Sequence, residues 1–154
     1  MDARAYLDLI DPQRIASIAR ARGDEYEDLV GLLFEHAAHG DAASADLADL
    51  VDLVARACLG ENHLWQDLGL PSRQFLSDLL RENFPTLFAR NSGNMRWKKF
   101  FYLQLCERAD VRACRAPSCG VCVSRAECFG AEEGLPLAAV QPAMRVSPAV
   151  TLLR

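Results

Sequence analysis

The sequence predicts an all-α protein: a small helical domain with a cysteine-rich, metal-binding loop near its C-terminal end. Three observations carry that prediction. Apolar residues recur at three- and four-residue spacing through most of the first 109 positions, capping residues and Pro or Gly stops punctuate those runs, and four of the six cysteines crowd into residues 114–128. No segment reads as a convincing strand.

Each element follows from local chemistry. Asp11 before Pro12 reads as an N-cap and first helical residue, opening a helix through Ile15, Ile18 and Ala19 that Gly23 is expected to stop. Tyr26, Leu29, Val30, Leu33 and Phe34 then repeat at helical spacing up to about His39 and Gly40. Ser44 reads as the cap of a third helix with Leu47, Leu50, Val51, Val54 and Cys58 on one face and Gly60 at its end. Leu68 to Pro71 make a break, after which Ser72 is expected to cap a helix carrying Phe75, Leu76, Leu79 and Leu80. Pro85 interrupts and opens a short turn through Leu87 and Phe88, and Asn91 to Asn94 form a loop. The last strong helix is expected from Met95 to about Ala109, with Trp97, Phe100, Phe101 and Leu105 as its apolar stripe. Residues 1–133 therefore read as one helical domain with a cluster loop at 114–128, and residues 134–154, broken by prolines at 136, 142 and 148, as an extended or mobile tail.

Composition bounds the function. The chain has 154 residues, 51% hydrophobic and 25% charged, which suits one domain with a buried core. The first twenty residues hold no signal-type apolar run, and no stretch approaches the roughly 20 apolar residues of a membrane span. The expectation is a soluble cytoplasmic protein. Thiols stay reduced there, so six cysteines point to metal ligands or buried small residues before disulfides. The net charge of −4 hides an uneven distribution: residues 1–60 carry a balance of −7, whereas residues 95–128 carry +4, from Arg96, Lys98, Lys99, Arg108, Arg112, Arg115 and Arg125. That local field suits an anionic ligand or a thiolate-bound cluster, although solvated surface charges would read the same way. The acidic remainder argues against nucleic acid. There is no glycine-rich phosphate loop, no HExxH and no supported Ser-His-Asp arrangement, so the expectation is a carrier and not an enzyme.

The informative constellation is Cys114, Cys119, Cys122 and Cys128: cysteine, four residues, cysteine, two residues, cysteine, five residues, cysteine. Pro117, Ser118 and Gly120 favour turns between them. Two intervening residues let Cys119 and Cys122 turn both sulfurs onto one centre, and the longer flanking gaps let the outer thiolates reach other corners of a larger one. Four thiolates satisfy tetrahedral zinc equally well, so spacing leaves an iron–sulfur cluster and a zinc-stabilised binding module both open.

The segment Met95-Arg-Trp-Lys-Lys-Phe-Phe-Tyr-Leu-Gln-Leu-Cys106-Glu, followed by the four cysteines and ending Cys128-Phe-Gly130, resembles the signature of the NifQ family of nitrogen-fixation proteins. An upstream block is similar to the same family: Ala57-Cys58-Leu-Gly-Glu-Asn-His63-Leu-Trp-Gln-Asp-Leu-Gly-Leu70, then Arg73, Phe84-Pro85 and Asn91. The resemblance runs from about residue 57 to 133; the first 56 residues share only helical, acidic character with it. It implies an iron–sulfur protein, of 3Fe-4S or 4Fe-4S type, that accepts molybdenum from molybdate or a reduced form and donates it for assembly of the nitrogenase iron–molybdenum cofactor. The implied partners are the cofactor scaffold and the nitrogenase iron protein, with no membrane and no nucleic acid. A simple iron–sulfur electron carrier is the alternative that uses the same cluster.

On this reading Cys114, Cys119, Cys122 and Cys128 are the cluster ligands, with Cys106 and His63 as possible additional ligands. Cys58 reads as a core residue and Trp97, Phe100 and Phe101 as an apolar wall. His36 and His39 receive no role. Arg96, Lys98 and Lys99 are candidates for offsetting cluster charge, attracting molybdate or docking an acidic partner.

Overall fold

The computed structural model describes residues 2–18, 23–38, 44–110 and 125–137, and every element among them is helical. Three short leading elements set the entrance to the core. Helix α1 (Ala3–Leu7) is capped by Asp2, whose carboxylate accepts the Ala5 N–H at 3.1 Å. Helix α2 (Pro12–Ala16) is capped by Asp11, which accepts from the Gln13 and Arg14 N–H groups at 3.1 and 3.2 Å, as its sequence predicts. It stops earlier than expected. The Ser17 N–H and hydroxyl both donate to Arg14 O, at 3.1 and 2.6 Å, tightening the chain into an i to i−3 turn that ends the helix. Gly23 therefore opens helix α3 (Gly23–Glu35) instead of closing α2, and Asp24 and Glu25 complement the positive end of its first turn.

Helix α4 (Ala45–Ala57) is the hub. Ser44 Oγ accepts the Leu47 N–H at 3.1 Å, and the face of Leu47, Leu50, Val51 and Val54 is fully buried. It packs against α1, α2, α3 and helix α5 (Leu64–Asp67). Helices α6 (Arg73–Asn83) and α7 (Pro85–Arg90) meet at Phe84, where the residue before proline is forced out of the helical region. Pro85 thus opens a six-residue helix, more than a turn. Ser72 occupies the N-cap position of α6 but its hydroxyl makes no cap bond. Helix α8 (Trp97–Arg108) leans on α3, and helix α9 (Arg125–Phe129) follows the cysteine segment.

Tertiary packing moves three expected apolar stripes. On α3 the buried set is Leu29, Leu32 and Leu33, continued by His36 just past its end, so Phe34 is left 39% exposed. The His36 ring lies 2.7 Å from Thr86 Oγ1, which satisfies it inside. On α6, Phe75 is likewise 37% exposed while Leu76, Leu79 and Leu80 are sealed. On α8 the stripe is Trp97, Phe100, Phe101 and Gln104, with Leu105 only half-buried. Gln104 tolerates burial because its amide accepts from Arg90 and donates to Glu107. Trp97 stacks on Phe88 at 5.8 Å and meets Phe100 edge-on at 5.8 Å, locking the start of α8 into the body.

A candidate metal centre and its frame

Of the four predicted ligands, Cys128 lies within the described residues; Cys114, Cys119 and Cys122 lie outside them. Cys128 is half-buried on α9, packed against the core beside Phe129. Its carbonyl accepts the Arg96 N–H at 2.6 Å, so this residue sits over the first turn of α8, at the positive end of the helix dipole. The Gly130 N–H closes α9 on Ala126 O at 2.8 Å. Gly130 is required by crowding, because a Cβ there would strike Ala126 O and lie 2.8 Å from Arg96 Nη2.

The segment after Cys128 is tied down by side chains from three helices. Arg96 donates to Gly130 O at 3.0 Å and Ala131 O at 3.1 Å. Trp65 donates through its indole N–H to Glu132 O at 3.2 Å, and Gln66 donates to Leu135 O at 3.0 Å. Glu132, whose side chain is 2% exposed, accepts the Trp97 N–H at 2.8 Å and pairs with Arg73 Nε at 3.0 Å. Docking thus continues past the expected domain edge at 133 as far as Leu135; residues 138–154 of the expected tail lie outside the description. Sequence reasoning missed Glu132. A lone Glu after a loop carries no local signal of burial, and its two partners are 35 and 59 positions away.

The basic cluster is mostly committed. Lys98 donates to Gly60 O at 2.8 Å and pairs with Asp67, which is itself 3% exposed and also accepts from the Asn62 N–H and Nδ2 at 3.1 and 3.0 Å. Gly60 leaves room for that carboxylate, since a Cβ would overlap it. Arg108 pairs with Glu35 at 3.1 Å, and Arg125 lies over the Phe129 ring at 5.0 Å. Lys99 stays exposed.

His63 is the N-cap residue of α5, its N–H held by Gln66 Oε1 at 3.2 Å. It lines a cavity of about 400 Å³ together with Arg96, Lys98, Lys99 and Glu127, so the structure brings His63 near α9 at Glu127, the neighbour of Cys128 in the chain. Cys106 is not brought there. Ten residues of α8 separate it from Arg96, about 15 Å at 1.5 Å per residue. Cys58 caps α4 inside the core, 6% exposed, and burial pushes its thiol up to about 12, against a smaller lowering by nearby Lys98. At pH 8 its thiolate fraction should be roughly 10³-fold below that of an ordinary thiol. Iodoacetamide mapping of the native protein should therefore leave Cys58 unmodified while Cys106 reacts; equal labelling would contradict the buried site. Among the described residues no group of three His, Cys, Asp or Glu side chains is poised around one ion.

The chain-length geometry is permissive. Residues 111–124 link the far end of α8 back to α9, a return of about 18 Å along a helix of 12 residues, and 14 residues can span up to about 46 Å. Ample slack remains to gather three further thiols near Cys128.

The NifQ family model matches residues 4–130. The chain belongs to the NifQ family. That match covers α1 to α9 and so extends well upstream of the 57–133 region in which the resemblance is visible by motif. Among relatives, the chain is 52% identical to Protein NifQ of Azotobacter vinelandii over 111 residues, which is 72% of this chain and 55% of that protein. It is 49% identical to the Protein NifQ homolog of Sinorhizobium fredii (strain NBRC 101917 / NGR234) over 112 residues, 73% of this chain and 47% of that one. With Protein NifQ of Rhodobacter capsulatus the figure is 50% over 80 residues, 52% of this chain and 44% of the relative. The chain therefore spans about half the length of the relatives it matches. No solved structure matches it. Among the described residues, no helix is long and apolar enough to cross a membrane.

Proposed function

We propose that this NifQ-family chain serves nitrogen fixation as a carrier: it holds an iron–sulfur cluster on Cys114, Cys119, Cys122 and Cys128, takes up molybdenum there, and donates it for iron–molybdenum cofactor assembly. The single observation that carries the reading is the four-cysteine spacing within a family match that runs from residue 4 to residue 130. Family membership supports the nitrogen-fixation role, and the donor chemistry supports the metal.

Cys128 lies at the positive end of α8, its carbonyl on the Arg96 N–H and its side chain packed against the core beside Phe129, a setting that suits a thiolate ligand. When bound, an iron–sulfur core supplies soft sulfide donors suited to a reduced molybdenum centre. The protein's own work is positional. Arg96 holds the carbonyls of Cys128, Gly130 and Ala131 in one turn, using its backbone N–H for the first and its guanidinium for the others. Glu132 fixes that turn to Trp97 and Arg73, so the distal thiolate is presented by a rigid segment and not by a free loop. His63 and Lys99 face the neighbouring cavity, where a proton or an oxyanionic group can be met. The molybdenum source is molybdate or a reduced form of it, and the recipients are the nitrogenase cofactor scaffold and the iron protein, in a reducing cytoplasmic setting.

Anaerobic purification followed by iron, zinc, acid-labile sulfide and molybdenum assays tests this directly. Iron and sulfide in near-equal amounts, with molybdenum retained after reduction, are expected. Stoichiometric zinc without labile sulfide would replace the cluster by a zinc-stabilised binding module. A cluster that never takes up molybdenum would leave an electron carrier.

A further inference from the structure

Arg14 stands out by its lack of a partner. It lies in the acidic half of the chain, where residues 1–60 carry twelve carboxylates. The other described arginines of that stretch are matched: Arg4 with Asp8 and Asp46 at 3.7 Å, and Arg56 with Asp52 at 3.0 Å. Beyond residue 60 each described arginine also has a carboxylate, an amide, a carbonyl or an aromatic ring against it. Arg14 makes no side-chain hydrogen bond or ion pair among the described residues, and its Nε–H is sealed from solvent with no acceptor.

The guanidinium borders a cavity of about 600 Å³ between α2, the α4–α5 turn and α8. Asp67 is committed to Lys98 and to both Asn62 donors, and the exposed Glu61, which also lines the cavity, makes no hydrogen bond or ion pair with Arg14. Cys58, on the same wall, is held as a neutral thiol and adds no negative charge. A planar cation that lines a cavity and has no carboxylate paired to it among the described residues is suited to a ligand with several acceptor oxygens.

We propose that this cavity is a binding site for a compact oxyanion, with the Arg14 guanidinium as its principal donor. Glu61, Asn62 and Lys98 also line the smaller cavity bordered by His63, Arg96 and Glu127, so an anion held at Arg14 is one side-chain wall from that cavity. Naming molybdate as the physiological occupant rests on the function proposed above; the site itself does not. Sulfate shares the tetrahedral oxyanion chemistry and separates the two claims.

The test is equilibrium dialysis of the full chain, purified anaerobically, against molybdate and separately against sulfate, with bound anion counted by elemental analysis. One anion per chain is expected. Arg14→Gln should weaken binding at least tenfold, and Arg14→Lys should recover part of it, with unchanged thermal unfolding showing that both variants fold. The variant with Cys119→Ala and Cys122→Ala should lose iron yet keep the dialysable anion. Absence of anion binding by the wild-type chain, or equal binding by wild type and a folded Arg14→Gln, overturns the site. Sulfate and molybdate bound equally at Arg14, in a chain whose metal centre never takes up molybdenum, would uphold the site while removing the molybdenum function.

Discussion

Replacing Cys119 and Cys122 together by alanine is expected to lower bound iron by roughly tenfold or more, because losing a ligand costs at least what losing a supporting contact does. The helical body should survive. Its core is built from α1, α3, α4, α6 and α8, whose sealed side chains pack on one another, while of the cysteine segment's described part only Cys128 and Phe129 border it, partly buried. Thermal unfolding followed by circular dichroism at 222 nm should therefore move little while iron and sulfide disappear. Cys58→Ala should do the reverse, costing about 1 kcal/mol of stability with iron retained. Its thiol is buried at the end of α4 and held protonated, a poor state for a ligand. Iron lost from Cys58→Ala but kept in the double variant would place the metal elsewhere and end the present ligand assignment.

Glu132→Ala should be the most damaging single change outside the apolar core. It removes a carboxylate with a 2% exposed side chain, strands the Trp97 N–H, and leaves the Arg73 guanidinium only its bonds to Asn94 Oδ1 and Met95 O. Breaking one side of such a buried pair costs about 3–5 kcal/mol. For a domain of this size that corresponds to a fall in Tm of roughly 10 °C. Glu132→Gln keeps an acceptor for Trp97 and should lose less. Because Glu132 also pins the turn that follows Cys128, iron loading should fall in Glu132→Ala even at temperatures where the body stays folded. A Tm within 2 °C of wild type would show that the ion pair contributes little and that the segment is held by Arg96, Trp65 and Gln66.

Much of the architecture was legible from local chemistry. The caps at Asp11 and Ser44, the α4 face of Leu47, Leu50, Val51 and Val54, and the break before Ser72 each depend on residues within four positions of one another. Helical periodicity and capping act over that range, so reading them needs no fold. Family membership was legible for a related reason: the cysteine spacing and the aromatic, basic start of α8 are contiguous in sequence. One error was local, since Ser17 bonded Arg14 O and ended α2 before Gly23 could. The others fall where a neighbour distant in sequence decides: Phe34 and Phe75 were turned outward by packing, and Gln104 took the place expected for Leu105 because Arg90 was there to bond it.

By itself, then, the sequence determined that this is an all-α member of the NifQ family with four closely spaced thiols, since periodicity, caps and ligand spacing are written in short windows. Only the tertiary structure decided that Glu132 is a buried anchor, that Lys98 belongs to Asp67 and not to a free basic patch, and that Arg14 meets no carboxylate among the described residues. Burial and charge pairing are set by which side chains arrive from tens of residues away, and a single charged residue looks the same in sequence whether its partner arrives or not.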